Sequence, residues 1–268
     1  TLVLAIGRPI DTTSSVAGRP SHAPTVKPNA GGTWNRGPQA GQGAHGAPVT
    51  LQATDISQMA DNTPGDEGVS CGVSGTSTAD NSWWRRFYFS EHPAVGATAG
   101  VTSVTVSTGS VDVGGLPVTV NLYTIPHSVT VNTIPTAQLT LIGTANATLT
   151  GSLQSITVPV AGNVDDTVGK DLVVELHTDG NASGGQFFPG ANATAETHPT
   201  FLSSSTCGVS QPTTGAAIGF PDFHLTMVVT LDGGTNPPVG CENPSDIPWL
   251  SESPTSGTVA GGANAAVT

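Results

Sequence analysis

Residues 83–232 carry a two-residue hydrophobic period that returns at short spacing, and nothing else in the chain constrains the fold so strongly. Phe223, Leu225, Met227, Val229 and Leu231 fall on one side of an extended chain; His224, Thr226, Val228 and Thr230 fall on the other. Leu116, Val118, Val120 and Leu122 alternate in the same way with Pro117, Thr119, Asn121 and Tyr123. Ile156, Val158 and Val160 repeat the pattern, as do Leu172, Val174 and Leu176. Successive side chains of a strand point to opposite faces, so this period marks half-buried strands. Runs of this kind, bounded by Gly, Pro, Asn or Asp, predict an all-β fold, an antiparallel β-sandwich.

The composition agrees. With 34 Gly, 21 Pro and only 10% charged residues, the chain suits short strands joined by turns and disfavours helices. The best helical window, 54–61, is too short to stand, and 51–59 reads as a turn of helix or an edge strand. A formal net charge of -12 repels phosphate backbones and anionic lipid, which excludes nucleic acid as a partner. No run approaches the roughly 20 apolar residues of a membrane-spanning helix, and no membrane insertion is expected. No charged stretch followed by an apolar one opens the chain, so it reads as a mature product or an internal fragment. Little Lys with plentiful Thr, Ser, Asn and Gly points to a secreted or cell-surface protein.

Four segments follow from these shifts. Residues 1–67 form a Gly/Pro-rich, irregular N-terminal extension, of which 8–49 reads as linker because too few apolar residues offset the ordering entropy. Its exception is the run Leu2, Val3, Leu4, Ala5 and Ile6, either a remnant of a preceding domain or a docking strand that adds to another sheet edge. Residues 68–232 form the sandwich, 233–240 a linker, and 241–268 begin something new. Cys71 and Cys207, each followed by Gly-Val-Ser, are expected to form a disulfide in an oxidising compartment; two free buried thiols are the alternative.

The stretch Cys241-Glu242-Asn243-Pro244-Ser245-Asp246-Ile247-Pro248-Trp249-Leu250-Ser251 resembles the opening of a bacterial immunoglobulin-like repeat. That family continues through further strands and a second Cys, so the resemblance implies a partial immunoglobulin-like module with Cys241 lacking its partner. The sandwich resembles a jelly-roll-like module of bacterial secreted proteins. The matching residues are Asn81-Ser82-Trp83-Trp84-Arg85, Val118-Thr119-Val120-Asn121-Leu122-Tyr123, Leu172-Val173-Val174-Glu175-Leu176, and Cys207-Gly208 followed by Ala217-Ile218-Gly219-Phe220-Pro221-Asp222. Similar segments occur in the C-terminal regions of subtilisin-like peptidases and in cell-surface proteins. The resemblance implies architecture and location and supplies no activity.

Candidate chemistry is sparse. Gly75-Thr76-Ser77-Thr78-Ala79 looks like the surroundings of a subtilisin nucleophile, and Asp11 and His45 complete the order of that triad. The reading fails on context, because Ser77 leads into a strand and Asp11 and His45 lie where no scaffold holds them. The histidines never occur as a close pair, which argues against a histidine metal site. Asp165, Asp166 and Asp171 make an acidic turn that offers oxygen ligands to Ca²⁺; the alternative is a solvated turn in which Asp bonds its own backbone. Trp84 and Tyr88 are candidate sugar-stacking rings, unless their strand is buried on both faces. Arg85 and Arg86 are expected to pair with carboxylates. Asn146, Asn181 and Asn192 open N-glycosylation sequons.

The expectation is a non-enzymatic extracellular module with a structural, adhesive or assembly role, able to build filaments by strand addition. The alternative is a carbohydrate-binding accessory module of a secreted hydrolase or peptidase, with a polysaccharide as partner. Apart from the calcium candidate, no cofactor is expected.

Overall fold

The computed structural model describes residues 32–37, 45–49, 54–73, 77–112, 114–129, 133–181 and 184–232. The Leu2–Ile6 run, Asp11, the 233–240 linker and the segment 241–268 with Cys241 lie outside them.

In chain order, β1 (Gly32–Arg36), β2 (Asp55–Ser57), β3 (Val69–Val73) and β4 (Ser77–Thr78) come first. Next are β5 (Asn81–Phe87), β6 (Ala99–Val111), β7 (Leu116–Pro126), β8 (Thr140–Leu149), β9 (Ser155–Val164) and β10 (Lys170–Thr178). The last are β11 (Phe187–Pro189), β12 (Ala191–Asn192), β13 (Phe201–Ser204), β14 (Val209–Thr214), β15 (His224–Leu225) and β16 (Met227–Leu231). These strands pair antiparallel. A six-stranded sheet has the order β14-β13-β5-β10-β7-β8. A five-stranded sheet runs β11-β6-β16-β2, with β9 on β6. Smaller sheets join β1-β3-β4 and β12-β15.

The alternation read from the sequence decides which faces meet. Leu116, Val118, Val120 and Leu122 of β7, Leu172, Val174 and Leu176 of β10, and Trp83 and Phe87 of β5 share one core with Val104 and Val106 of β6. Val158 and Val160 of β9 and Met227 and Val229 of β16 complete it. The fold is thus an all-β antiparallel sandwich.

One part of the six-stranded sheet is covered on its other face as well. Ile134, from the connection between β7 and β8, packs with Trp84, Ile125, Val173 and Phe201 in a second apolar cluster. This roof is fastened at both ends: Arg86 donates to the Val129 carbonyl, and the Ile134 N–H donates to the Pro212 carbonyl at 3.0 Å.

Cys71 and Cys207 form a disulfide, with Cα atoms 6.0 Å apart across a sequence separation of 136. It ties β3 to the turn before β14. Beside it the Asn81 side chain serves Cys71 as a strand neighbour would, accepting its N–H at 2.7 Å and donating to its carbonyl at 2.9 Å.

Two readings of the extension change. The supposed linker 8–49 contains β1, which pairs with β3 in register Trp34↔Cys71, and Trp34 is buried in the main core. One large ring on a paired strand offsets an ordering entropy that the surrounding Gly and Pro could not. The ambiguous stretch at 51–59 contains an edge strand, β2, on β16.

Candidate functional site

Register assembles the site. On the outer face of the six-stranded sheet, Ser203, Ser82, His177, Thr119 and Asn146 stand in one row across β13, β5, β10, β7 and β8. The next row is Phe201, Trp84, Glu175, Asn121 and Thr144. A third holds Arg86, Val173, Tyr123 and Leu141. The roof covers the Phe201, Trp84 and Val173 side and leaves the polar side open.

Glu175 is the centre of the open part. It is 7% exposed, yet both its oxygens are engaged. Oε1 accepts the Ser82 hydroxyl at 2.6 Å; Oε2 accepts Asn121 Nδ2 at 3.0 Å and the Tyr123 hydroxyl at 2.8 Å. Burial, then the charge of Glu175 and this bond, push the Tyr123 phenol far above its usual range, so it remains a donor. Asn121 Oδ1 in turn accepts from Thr144 at 2.8 Å, and Asn146 Oδ1 accepts from Thr119 at 2.9 Å. His177 Nδ1 lies 2.9 Å from Ser82 Oγ, and Nε2 lies 3.2 Å from Asp179 Oδ1.

Ser82, His177 and Asp179 invite comparison with a catalytic triad, and hydrogen counting separates them from one. Ser82 has a single hydrogen, and it goes to Glu175 at 2.6 Å. With that hydrogen on Glu175, Ser82 Oγ faces His177 Nδ1 as an acceptor, the reverse of the serine-to-imidazole donation that a triad needs. Ser82 also sits within β5, laddered to β10 on one side and β13 on the other. The backbone amides near it serve the sheet and do not converge on a developing oxyanion.

Two grooves flank His177. One, of about 390 Å³, runs between the roof edge and β13–β14 and is lined by Trp84, Tyr123, Leu139, Leu141, Glu175 and Ser203 among others. The other, of about 520 Å³, lies over Thr119, Asn146, Thr148 and Asp179. Leu141 is 55% exposed at the first groove, an unusual exposure for a leucine on this fold.

The residues singled out from the sequence fall elsewhere or in other roles. Trp84 is 4% exposed under the roof, 5.9 Å from the Tyr123 ring, with its N–H donated to Ser203 at 3.0 Å. It is therefore the backing of the groove and no stacking platform. Tyr88 is half-buried, tilted against the His198 ring at 4.0 Å with the Arg86 guanidinium 4.6 Å from its centroid, so its ring already has two partners. The carboxylates of the proposed calcium turn are not brought together. Asp171 turns inward to Arg86, Asp165 pairs with Lys170 at 2.7 Å, and Asp166 accepts the N–H groups of Val168 and Gly169. The competing reading of that turn fits Asp166. Arg85 and Arg86 do pair with carboxylates, Glu196 and Asp171. Burial pulls the Arg85 guanidinium down to about 10 against the opposing pull of Glu196. Ser77 lies in β4 and His45 bridges Gly65, far from forming a triad with anything described. Among the sequon asparagines, Asn192 is buried, with its amide donated to the Asp61 and Thr63 carbonyls.

Sequence reasoning passed over Asn121, Tyr123, Glu175 and Ser82. For Asn121, Tyr123 and Glu175 the signal lies in the polar phase of β7 and β10; Ser82 of β5 gives none. Compared with family models, curated proteins and solved structures, the chain matches none. The site is therefore argued from its own geometry.

Proposed function

We propose that the chain supplies a non-catalytic extracellular module with a structural or adhesive role, which makes contact through the open part of the outer sheet face. The observation that carries this is the pair of in-register polar rows, whose groups are already bonded to one another across neighbouring strands. Side chains held before contact lose little freedom on binding. A disulfide supports an oxidising compartment, and among the described residues no helix is long and apolar enough to cross a membrane. The engaged hydrogen of Ser82 supports the non-catalytic part of the reading.

The test is retention of the full chain on immobilised polysaccharides and on immobilised copies of itself, read as protein depleted from solution. Chromogenic esters and casein are incubated in parallel. Retention on at least one surface without turnover is the expected result. Turnover that disappears in Ser82→Ala overturns the reading, and so does a chain retained on no surface.

A further inference from the structure

We infer that the groove between the roof edge and His177 binds a neutral oligosaccharide, with Tyr123 and Leu141 against the sugar's C–H face and Glu175, Ser210 and Ser203 toward its hydroxyls. This rests on the adhesive reading above and names its ligand class. Three features converge on it.

The first is the mixture of surfaces. A pyranose has an apolar face and a polar rim, and the groove matches both. Tyr123 and Leu139 pack on the second apolar cluster or belong to its edge, and the exposed Leu141 continues that surface. The polar groups stand at the other side of the same groove.

The second is the balance of donors and acceptors. Each sugar hydroxyl both gives and accepts a hydrogen bond. Glu175 accepts three bonds out of the roughly four that a carboxylate takes, so a position remains. Tyr123, whose hydrogen is on Glu175, keeps oxygen lone pairs. Ser203 accepts the Trp84 N–H and keeps its own hydrogen to give. An ammonium ligand would need acceptors alone, and an anion donors alone.

The third is charge and length. Glu175 and Asp179 flank the track, and the chain as a whole carries a net charge of -12, so uronic or sulfated sugars are repelled. Because His177 lines both grooves, a ligand longer than one ring passes from the first into the second. A volume of about 390 Å³ for the first groove alone suits a small saccharide.

The experiment titrates the full chain by calorimetry with gluco-, manno-, galacto- and xylo-configured neutral hexasaccharides, their disaccharides, and hexagalacturonate. At least one neutral hexasaccharide is expected to bind, at least tenfold more tightly than its disaccharide and than the uronate. Leu141→Ser and Ser203→Ala, both at partly exposed positions lining the groove, should each weaken it tenfold or more. Val168→Ser, which removes an exposed apolar side chain on another turn, should leave affinity unchanged. Thermal melts establish that the variants are folded. Binding that survives both Leu141→Ser and Ser203→Ala overturns the assignment of the site. Retention on a surface with no hexasaccharide bound at millimolar concentration overturns the sugar inference and leaves the adhesive reading standing. Retention nowhere brings down both.

Discussion

Arg86 Nη2 lies 2.6 Å from Asp171 Oδ2, and these side chains are 1% and 0% exposed. Arg86 Nε makes a second bond to the same oxygen at 2.9 Å, Nη1 donates to the Val129 carbonyl, and Nη2 also reaches the carbonyls of Pro126 and His127. Removing two charges from water is costly, and mutual attraction repays it only when the surrounding bonds are complete. Asp171→Ala leaves a buried cation unpaired and is expected to destabilise the fold by about 3–5 kcal/mol. Replacing both partners, as Arg86→Met with Asp171→Leu, should recover part of that loss. Equilibrium urea unfolding measures each; a loss below about 1 kcal/mol for Asp171→Ala would show the pair to be dispensable.

Neighbours Thr119 and Val120 face opposite ways on β7. Val120 is wholly inside the main core, while Thr119 stands in the open polar row and donates to Asn146. Val120→Asp puts an unpaired charge among apolar side chains and should prevent folding. Thr119→Asp should change stability by no more than about 0.5 kcal/mol. Circular dichroism and thermal melts decide it, and equal damage from both would mean that this part of the outer face is covered.

The Cys71–Cys207 bridge leaves Cys241 as the third cysteine of the chain. Thiol titration without reductant should therefore find one reactive thiol per chain, or none if Cys241 is bridged to another molecule. Cys71→Ser with Cys207→Ser should cost roughly 2–5 kcal/mol, toward the upper end because the closed loop is long. Three titratable thiols would contradict the bridge.

Asp80 holds the turn next to that bridge. Its carboxylate accepts the N–H groups of Ser205 at 2.7 Å and Thr206 at 3.1 Å. Burial raises its pKa, but bonds from Thr206 and Ser205 outweigh that and hold it below the usual carboxylate value. A carboxyl depressed in the folded state binds protons more readily when unfolded. Its contribution is complete above the ordinary value of 3.8 and disappears as pH falls through the lower folded value. Asp80→Asn should be less stable near neutrality and lose less on acidification. Melting curves between about pH 2 and 7 test this, and parallel curves for both proteins would refute it.

The sandwich was legible where its two faces meet different solvents. Val118 and Val120 against Thr119 and Asn121 is such a case, since one set enters the core and the other stays partly wet. It was illegible where a third layer intervenes. Trp83 and Trp84 are both buried because Ile134, about fifty positions away, roofs the second ring. Asp171 and Val173 in the polar phase of β10 are buried for the same reason, and the calcium reading of Asp171 failed with it. β1 escaped notice because a five-residue strand with one ring has no period to read. The candidate site was hidden differently. Ser82, Asn121 and Glu175 belong to three strands, and only the pairing of β5, β10 and β7 brings them to one carboxylate.

The position of the disulfide has a mechanical consequence. A pull transmitted from the chain before residue 71 to the chain beyond residue 207 passes through the sulfur atoms. The 136-residue separation between the two cysteines then bears no tension. At about 3.4 Å per residue, contour on the order of 450 Å is withheld from stretching. Of the strands outside that loop, β16 lies between β6 and β2, so drawing it out means shearing two antiparallel ladders together. Force applied across the bridge therefore leaves the strands between the two cysteines in place, and only the chain on either side of it can be drawn out.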